Sequence, residues 1–141
     1  FKPMQQSGGR RVMRSIYIDL NSIKFCTLSQ LSGLKEKGFI VDEDIEDARH
    51  TVNIELLRKY LERYLKTNPN VETKMTHMVR QLQPTPQGLP LELYFFTNNT
   101  EWVTYEHIQS AIFNHVYAVV SEFGLAMYQA PSGNDFKVES L

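Results

Sequence analysis

The run LPLELYFFT around residue 90 constrains this chain most, because Leu89, Leu91, Leu93 and Phe95 share one parity while Glu92 and Tyr94 take the other. Successive side chains of an extended strand point to opposite faces, so this period of two predicts a strand with one wholly apolar face. Such a face has to be covered by a second layer. The next segment offers one. After Asn98, Asn99 and Thr100, which can cap a helix, Tyr105, Ile108, Ile112, Val116, Val119 and Phe123 recur at three- and four-residue steps, and Gly124 supplies a stop.

The remaining segments fit around this pair. Residues 5–9 read as a turn, and residues 10–20 alternate, with Val12, Ile16, Ile18 and Leu20 on one side of a first strand that continues past a kink into 23–26. Residues 28–52 form an excursion: a short helix on Leu28, Leu31 and Leu34, a break at Gly38, then the acidic residues Asp42, Glu43, Asp44, Glu46 and Asp47. Asn53 is placed to cap a helix bearing Ile54, Leu57, Leu61, Tyr64 and Leu65, which Asn68 and Pro69 stop. Residues 74–82 predict a strand that turns through Pro84, Pro86 and Gly88 into the 89–97 strand as a hairpin, and residues 125–129 a short last strand.

The order β, excursion, α, β, β, α, β predicts an α+β, ferredoxin-like two-layer sandwich, with a four-stranded antiparallel sheet and two core helices. With 141 residues the chain holds one such domain, spanning 10–130 and including the 28–52 excursion. Residues 1–9 then read as a linker, and 131–141 as a tail. The sandwich leaves Met13, Tyr17, Tyr94 and Phe96 on the other sheet face, apolar enough to expect cover from a neighbouring element or subunit.

Composition narrows the chemistry. Fifteen Lys plus Arg against sixteen Asp plus Glu give a net charge of −1, so no global field draws the chain to nucleic acid or anionic lipid. The aromatic pair Phe95 and Phe96 invites comparison with sheets that stack RNA bases, but alternation puts Phe95 in the core and the basic companions are missing. A single cysteine, Cys26, excludes an internal disulfide. His50, His77, His107 and His115 do not form a metal-binding pattern, and no glycine-rich phosphate loop or nucleophile motif is present, so no enzyme, metal or cofactor is expected. Asn98-Asn99-Thr100 fits a glycosylation sequon, which helix capping explains better. No stretch reaches the ~18 apolar residues of a membrane span. The start at Phe1 rather than Met suggests a piece of a longer chain.

Three segments together carry a family resemblance: SGGRRVMRSIYIDLNSIKF at 7–25, MVRQLQPTPQGLPLELYFFTNNTEW at 78–102 and YEHIQSAIFNHVYAVVSEFGLAMYQAPSGND at 105–135. They resemble the C-terminal cytoplasmic region of bacterial small-conductance mechanosensitive channels, and within that family the YbdG-like subgroup. The 28–52 excursion is longer than in short family members and the tail after 135 is brief, leaving open whether 136–138 supply a strand to a small basal barrel. The resemblance implies a parent chain that spans the bacterial inner membrane, opens under tension in hypo-osmotic shock, and assembles as a heptamer. This fragment would be its cytoplasmic cage, passing ions and small osmolytes.

On that reading Gly8, Gly9, Arg10 and Arg11 serve the joint to the preceding β-domain. Asp42, Glu43 and Asp44 are exposed charges near a side opening, and Tyr17, Tyr94, Phe96 and Trp102 meet neighbouring subunits. The alternative is a free-standing ferredoxin-like domain that binds a ligand or dimerises through its sheet.

Overall fold

The computed structural model describes residues 8–133. Most of the expected N-terminal linker, and with it the question of a strand at 136–138, lies outside the described residues. Three strands form an antiparallel sheet of order β1-β3-β2, from β1 (Arg10–Ile18), β2 (Met78–Gln81) and β3 (Leu89–Thr97). Three helices accompany them: α1 (Leu28–Glu36), α2 (Asn53–Thr67) and α3 (Trp102–Val119). The order places β3 between β1 and β2, the arrangement of a split βαβ unit in which α2 makes the crossover.

The core lies between the sheet and α2 with α3. Register pairs Val12 with Phe95 and Ile16 with Leu91, so the inward positions of β1 and β3 form one buried floor. Ile54, Leu57, Leu61 and Leu65 of α2, and Ile108, Ile112 and Val116 of α3, close over it, all buried. Each such side chain contributes about 1.5–3 kcal/mol when taken from water, which makes the alternating run of β3 the centre of the fold. Arg14 occupies an inward register position of β1 yet reaches out beside α3. Its guanidinium lies 4.2 Å from the Phe113 ring centroid and donates to Gln109 Oε1 at 3.0 Å and Tyr117 Oη at 2.9 Å.

The excursion folds back on itself. Its ends meet where Phe25 bridges Val52, and the Cys26 N–H donates to the Thr51 carbonyl at 2.8 Å. The expected short helix is present as α1, started by a reciprocal cap in which Thr27 Oγ1 accepts from the Gln30 N–H and Gln30 Oε1 from the Thr27 N–H. Leu31 and Leu34 bury, whereas Leu28 is exposed.

Four expectations are corrected. The sheet has three strands among the described residues, not four: the 125–129 segment makes a single antiparallel bridge, Ile18 to Met127, with Asp19 N–H on Ala126 O and Tyr128 N–H on Tyr17 O. Pro131 follows at once and has no N–H to extend the pairing. The strand expected over 74–82 is shortened to β2, because residues 72–75 turn instead: the Met75 N–H bonds the Glu72 carbonyl and the Lys74 N–H bonds Glu72 Oε1.

Helix caps are the other two. Asn53 is the first residue of α2 rather than its cap, and its side chain is buried as a bridge, accepting from Lys24 N–H at 3.0 Å and donating to Ser22 O at 2.9 Å. Glu101, not Asn98, Asn99 or Thr100, caps α3, its carboxylate accepting from the Val103 and Thr104 N–H groups. Asn99 Oδ1 accepts from the Glu101 N–H and so positions that cap.

Candidate functional site

The sheet face turned away from the helices is open. Register puts Met13 opposite Tyr94 and Tyr94 opposite Met78, Arg11 opposite Phe96, and Tyr17 opposite Pro90. Met13 is 54% exposed and Tyr17 41%, large values for apolar side chains within a strand. The Tyr94 and Phe96 rings, half-buried, meet edge to face at 5.9 Å. Ser15, Glu92 and Arg80 cross the middle of this surface in one row, and Arg80 Nε donates to Glu92 Oε1 at 2.8 Å. The carboxylate is 8% exposed and paired, so it interrupts the apolar patch without leaving an unmatched buried charge.

The structure therefore brings together Tyr17, Tyr94 and Phe96 with Met13. Trp102 is 66% exposed but stands apart, at the start of α3 in the helical layer.

The acidic turn divides in two. Residues Asp42–Asp44 form one turn of 3-10 helix. Asp42 and Glu43 are exposed, as expected, and the Asp42 carboxylate pairs with Lys35 at 3.2 Å. Asp44 overturns the expectation of exposure: it is buried, with both carboxylate oxygens held by Arg63 at 2.8 Å and Oδ2 also accepting from the Val41 N–H. Burial alone pushes this carboxyl up. The hydrogen bonds from Arg63 and Val41, with the charges of Arg63 and Lys59, outweigh that and hold it below the ordinary carboxylate value. Nothing in the sequence marked Arg63 as the partner, since the two residues lie nineteen apart on different elements.

At the start of β1, Gly8 is exposed with φ of 78°, a value that L side chains rarely adopt. Gly9 is buried, and a Cβ there would come within 2.9 Å of Met75 Sδ and of the Thr97 carbonyl oxygen. Arg10 stacks on Tyr105, 4.3 Å from the ring centroid, while the Tyr105 hydroxyl donates to the Arg11 carbonyl at 2.8 Å. These contacts fix the entry of β1 against α3 and leave the Arg11 side chain exposed.

Among the described residues no group of three or more His, Cys, Asp or Glu side chains is placed to hold a metal ion. Each of three histidines has a local role. His50 pairs with Asp47 at 2.7 Å, His77 Nδ1 lies on the Met75 carbonyl at 3.0 Å, and His115 Nε2 shares a 2.6 Å hydrogen bond with the Tyr60 hydroxyl. Among the described residues no helix is long and apolar enough to cross a membrane.

The geometry is thus that of a compact α+β unit with one uncovered, aromatic-rich sheet face and an exposed acidic turn. Residues 42–127, from the acidic turn through both long helices and the β2–β3 hairpin, match the family described as mechanosensitive ion channel MscS, C-terminal. The match covers more than half of the 141 residues, and the chain belongs to the mechanosensitive ion channel MscS family, to which it contributes a C-terminal domain.

Proposed function

We propose that this domain is the cytoplasmic cage module of a tension-gated channel of the YbdG-like subgroup, which opens in hypo-osmotic shock. The parent chain spans the bacterial inner membrane, and seven copies of the domain ring the pore axis through heterologous contacts that close. The domain shapes the vestibule through which ions and small osmolytes pass; it gates nothing by itself and catalyses no reaction. Tension selects whichever state occupies more membrane area, so the energetics of opening reside in the spanning helices.

The observation that carries this reading is the open sheet face. A two-layer domain that leaves Met13 and Tyr17 projecting beside Tyr94 and Phe96 presents the apolar surface of an assembly unit rather than of a finished monomer. Within the ring this face receives a neighbouring subunit, and Trp102 makes a separate contact. Gly8 to Arg11 form the joint to the preceding β-domain, where the stacked Arg10 transmits the position of β1 to α3. Asp42 and Glu43 line a side opening and bias which ions enter, whereas Asp44 is spent on Arg63.

Patch recording tests the reading. Membrane patches carrying the full-length protein should pass current that switches on with suction, and cells lacking it should survive hypo-osmotic shock less well. Patches that hold the protein yet stay silent up to rupture overturn it. Neutralising Asp42 and Glu43 together should shift ion preference with the tension threshold unchanged.

A further inference from the structure

We propose that the cleft beside α2 lined by Lys59, Arg63, Lys66 and His77 binds a small multivalent anion of the phosphate class. The three cations follow i, i+4 and i+7 spacing along α2, which gathers them on one face, opposite the core face of Leu57, Leu61 and Leu65. His77, from the segment entering β2, and Asp44, from the acidic turn, complete the walls of a cleft of about 330 Å³. That volume is at the small end of ligand sites, roughly 300–1,000 Å³.

The charge ledger of the cleft favours an anion. Two carboxylates line it, and both are engaged. Asp44 is held by Arg63, while Glu62 accepts from Arg58 at 3.0 Å and from the Val79 N–H at 3.1 Å. Of the cations, Lys59 is only 23% exposed, and its ammonium donates to a backbone carbonyl, that of Asp44, at 3.2 Å. Its nearest carboxylate, on Glu46, stands at 3.9 Å and is 90% exposed. The exposed Lys66 side chain has no ion-pair or hydrogen-bond partner among the described residues. The His77 ring is held in the wall by its Nδ1, which lies 3.0 Å from the Met75 carbonyl oxygen. Two under-used ammonium groups and an imidazole around a preshaped cleft suit an anion that accepts several hydrogen bonds at once.

Such a ligand ties α2 to the acidic turn and to the entry of β2.

The test is a titration of the chain with inorganic phosphate at constant ionic strength, followed through its backbone amide resonances. Saturable shifts at Lys59, Lys66 and His77, with half-saturation on the order of 1 mM, are expected, and potassium chloride should give none. Lys66→Gln, on an exposed side chain without partners, should weaken binding about tenfold, as for the loss of one charge-assisted contact. Shifts that are unsaturable, that chloride reproduces, or that survive Lys66→Gln overturn the proposal. So does co-sedimentation with phosphatidic acid vesicles in the absence of any response to free phosphate, which would assign the cleft to a lipid surface.

Discussion

Arg63 holds Asp44 with two parallel hydrogen bonds, Nη1 to Oδ1 and Nη2 to Oδ2, each 2.8 Å long, and so pins the acidic turn to the middle of α2. The same guanidinium donates to the Phe39 carbonyl at 3.1 Å, which extends the clamp to the chain between α1 and the turn. The 28–52 excursion is thus a packed part of the domain, and this pair is its principal anchor on the helical layer.

Asp44→Asn should therefore destabilise the domain by about 1–3 kcal/mol, the usual cost of losing a hydrogen-bonded charge partner that is largely out of water. The pH dependence has a definite sign. Because the folded carboxyl titrates below the ordinary 3.8, its stabilisation is fully present above that value and is lost as the pH falls through it to the folded value. Urea midpoints between about pH 6 and pH 3 should fall less steeply in Asp44→Asn than in the parent chain. Equal slopes would show that another carboxylate carries the acid sensitivity.

Much of the fold was legible where periodicity is strong, and the reasons are local. The β3 run and the stripes of α2 and α3 alternate cleanly because each meets the core with a single face, so Leu91, Leu61 and Ile112 all lie where the pattern puts them. What pattern could not supply was pairing across distance. Asp44 reads as one more exposed acid until Arg63 is seen beside it, and Arg14 sits at a core parity only because Phe113 offers its ring. Strand existence at 125–129 depended on a ladder partner, and β1 offers it one bridge. In the candidate site, the open face was readable from the parity of Met13, Tyr17, Tyr94 and Phe96. The isolation of Trp102 was not, since it depends on the path of the turn from β3 to α3.

Gly88 and Gly33 should respond to alanine in opposite directions. Gly88 has φ of 99° at the start of β3, and a Cβ there would collide with the Ile18 carbonyl oxygen where β1 ends. Gly88→Ala thus combines backbone strain with a clash against a ladder position, and should cost more than about 1 kcal/mol. Gly33 lies within α1 with nothing within 4 Å of its ideal Cβ, so Gly33→Ala should stabilise by about 0.5–1 kcal/mol through helix propensity. Thermal midpoints of the two variants moving the same way would contradict this account.

A polar contact joins the two long helices. His115 of α3 shares its 2.6 Å hydrogen bond with the Tyr60 hydroxyl of α2, and its ring stacks on Tyr64 with centroids 4.2 Å apart. Tyr60→Phe keeps the ring packing and removes the hydrogen bond, for an expected loss of about 0.5–1.5 kcal/mol. Burial, and then the neighbouring Tyr64, push the Tyr60 phenol up. A group raised on folding stabilises fully below its unfolded value and loses that contribution as the pH rises, here above about pH 10. Denaturation in alkali should therefore be blunted in Tyr60→Phe, and an unchanged alkaline limb would place the sensitivity elsewhere.

The proposed role of the open sheet face can be separated from folding. Met13 and Tyr17 project to solvent from the middle and end of β1, at 54% and 41% exposure, while the core positions beside them, Val12, Ile16 and Ile18, carry the stability of the strand. The double change Met13→Gln with Tyr17→Gln should accordingly leave the folding free energy of the domain within about 0.5 kcal/mol of the parent, as for surface substitutions generally. In the closed ring proposed above, the same change would remove apolar area from each subunit contact, and the loss would be repeated at every interface. Detergent-solubilised channel should then dissociate at lower denaturant, with the isolated domain unaffected. If the ring resists dissociation as before, neighbouring subunits meet through another surface, and the exposed Trp102 at the start of α3 becomes the next residue to replace.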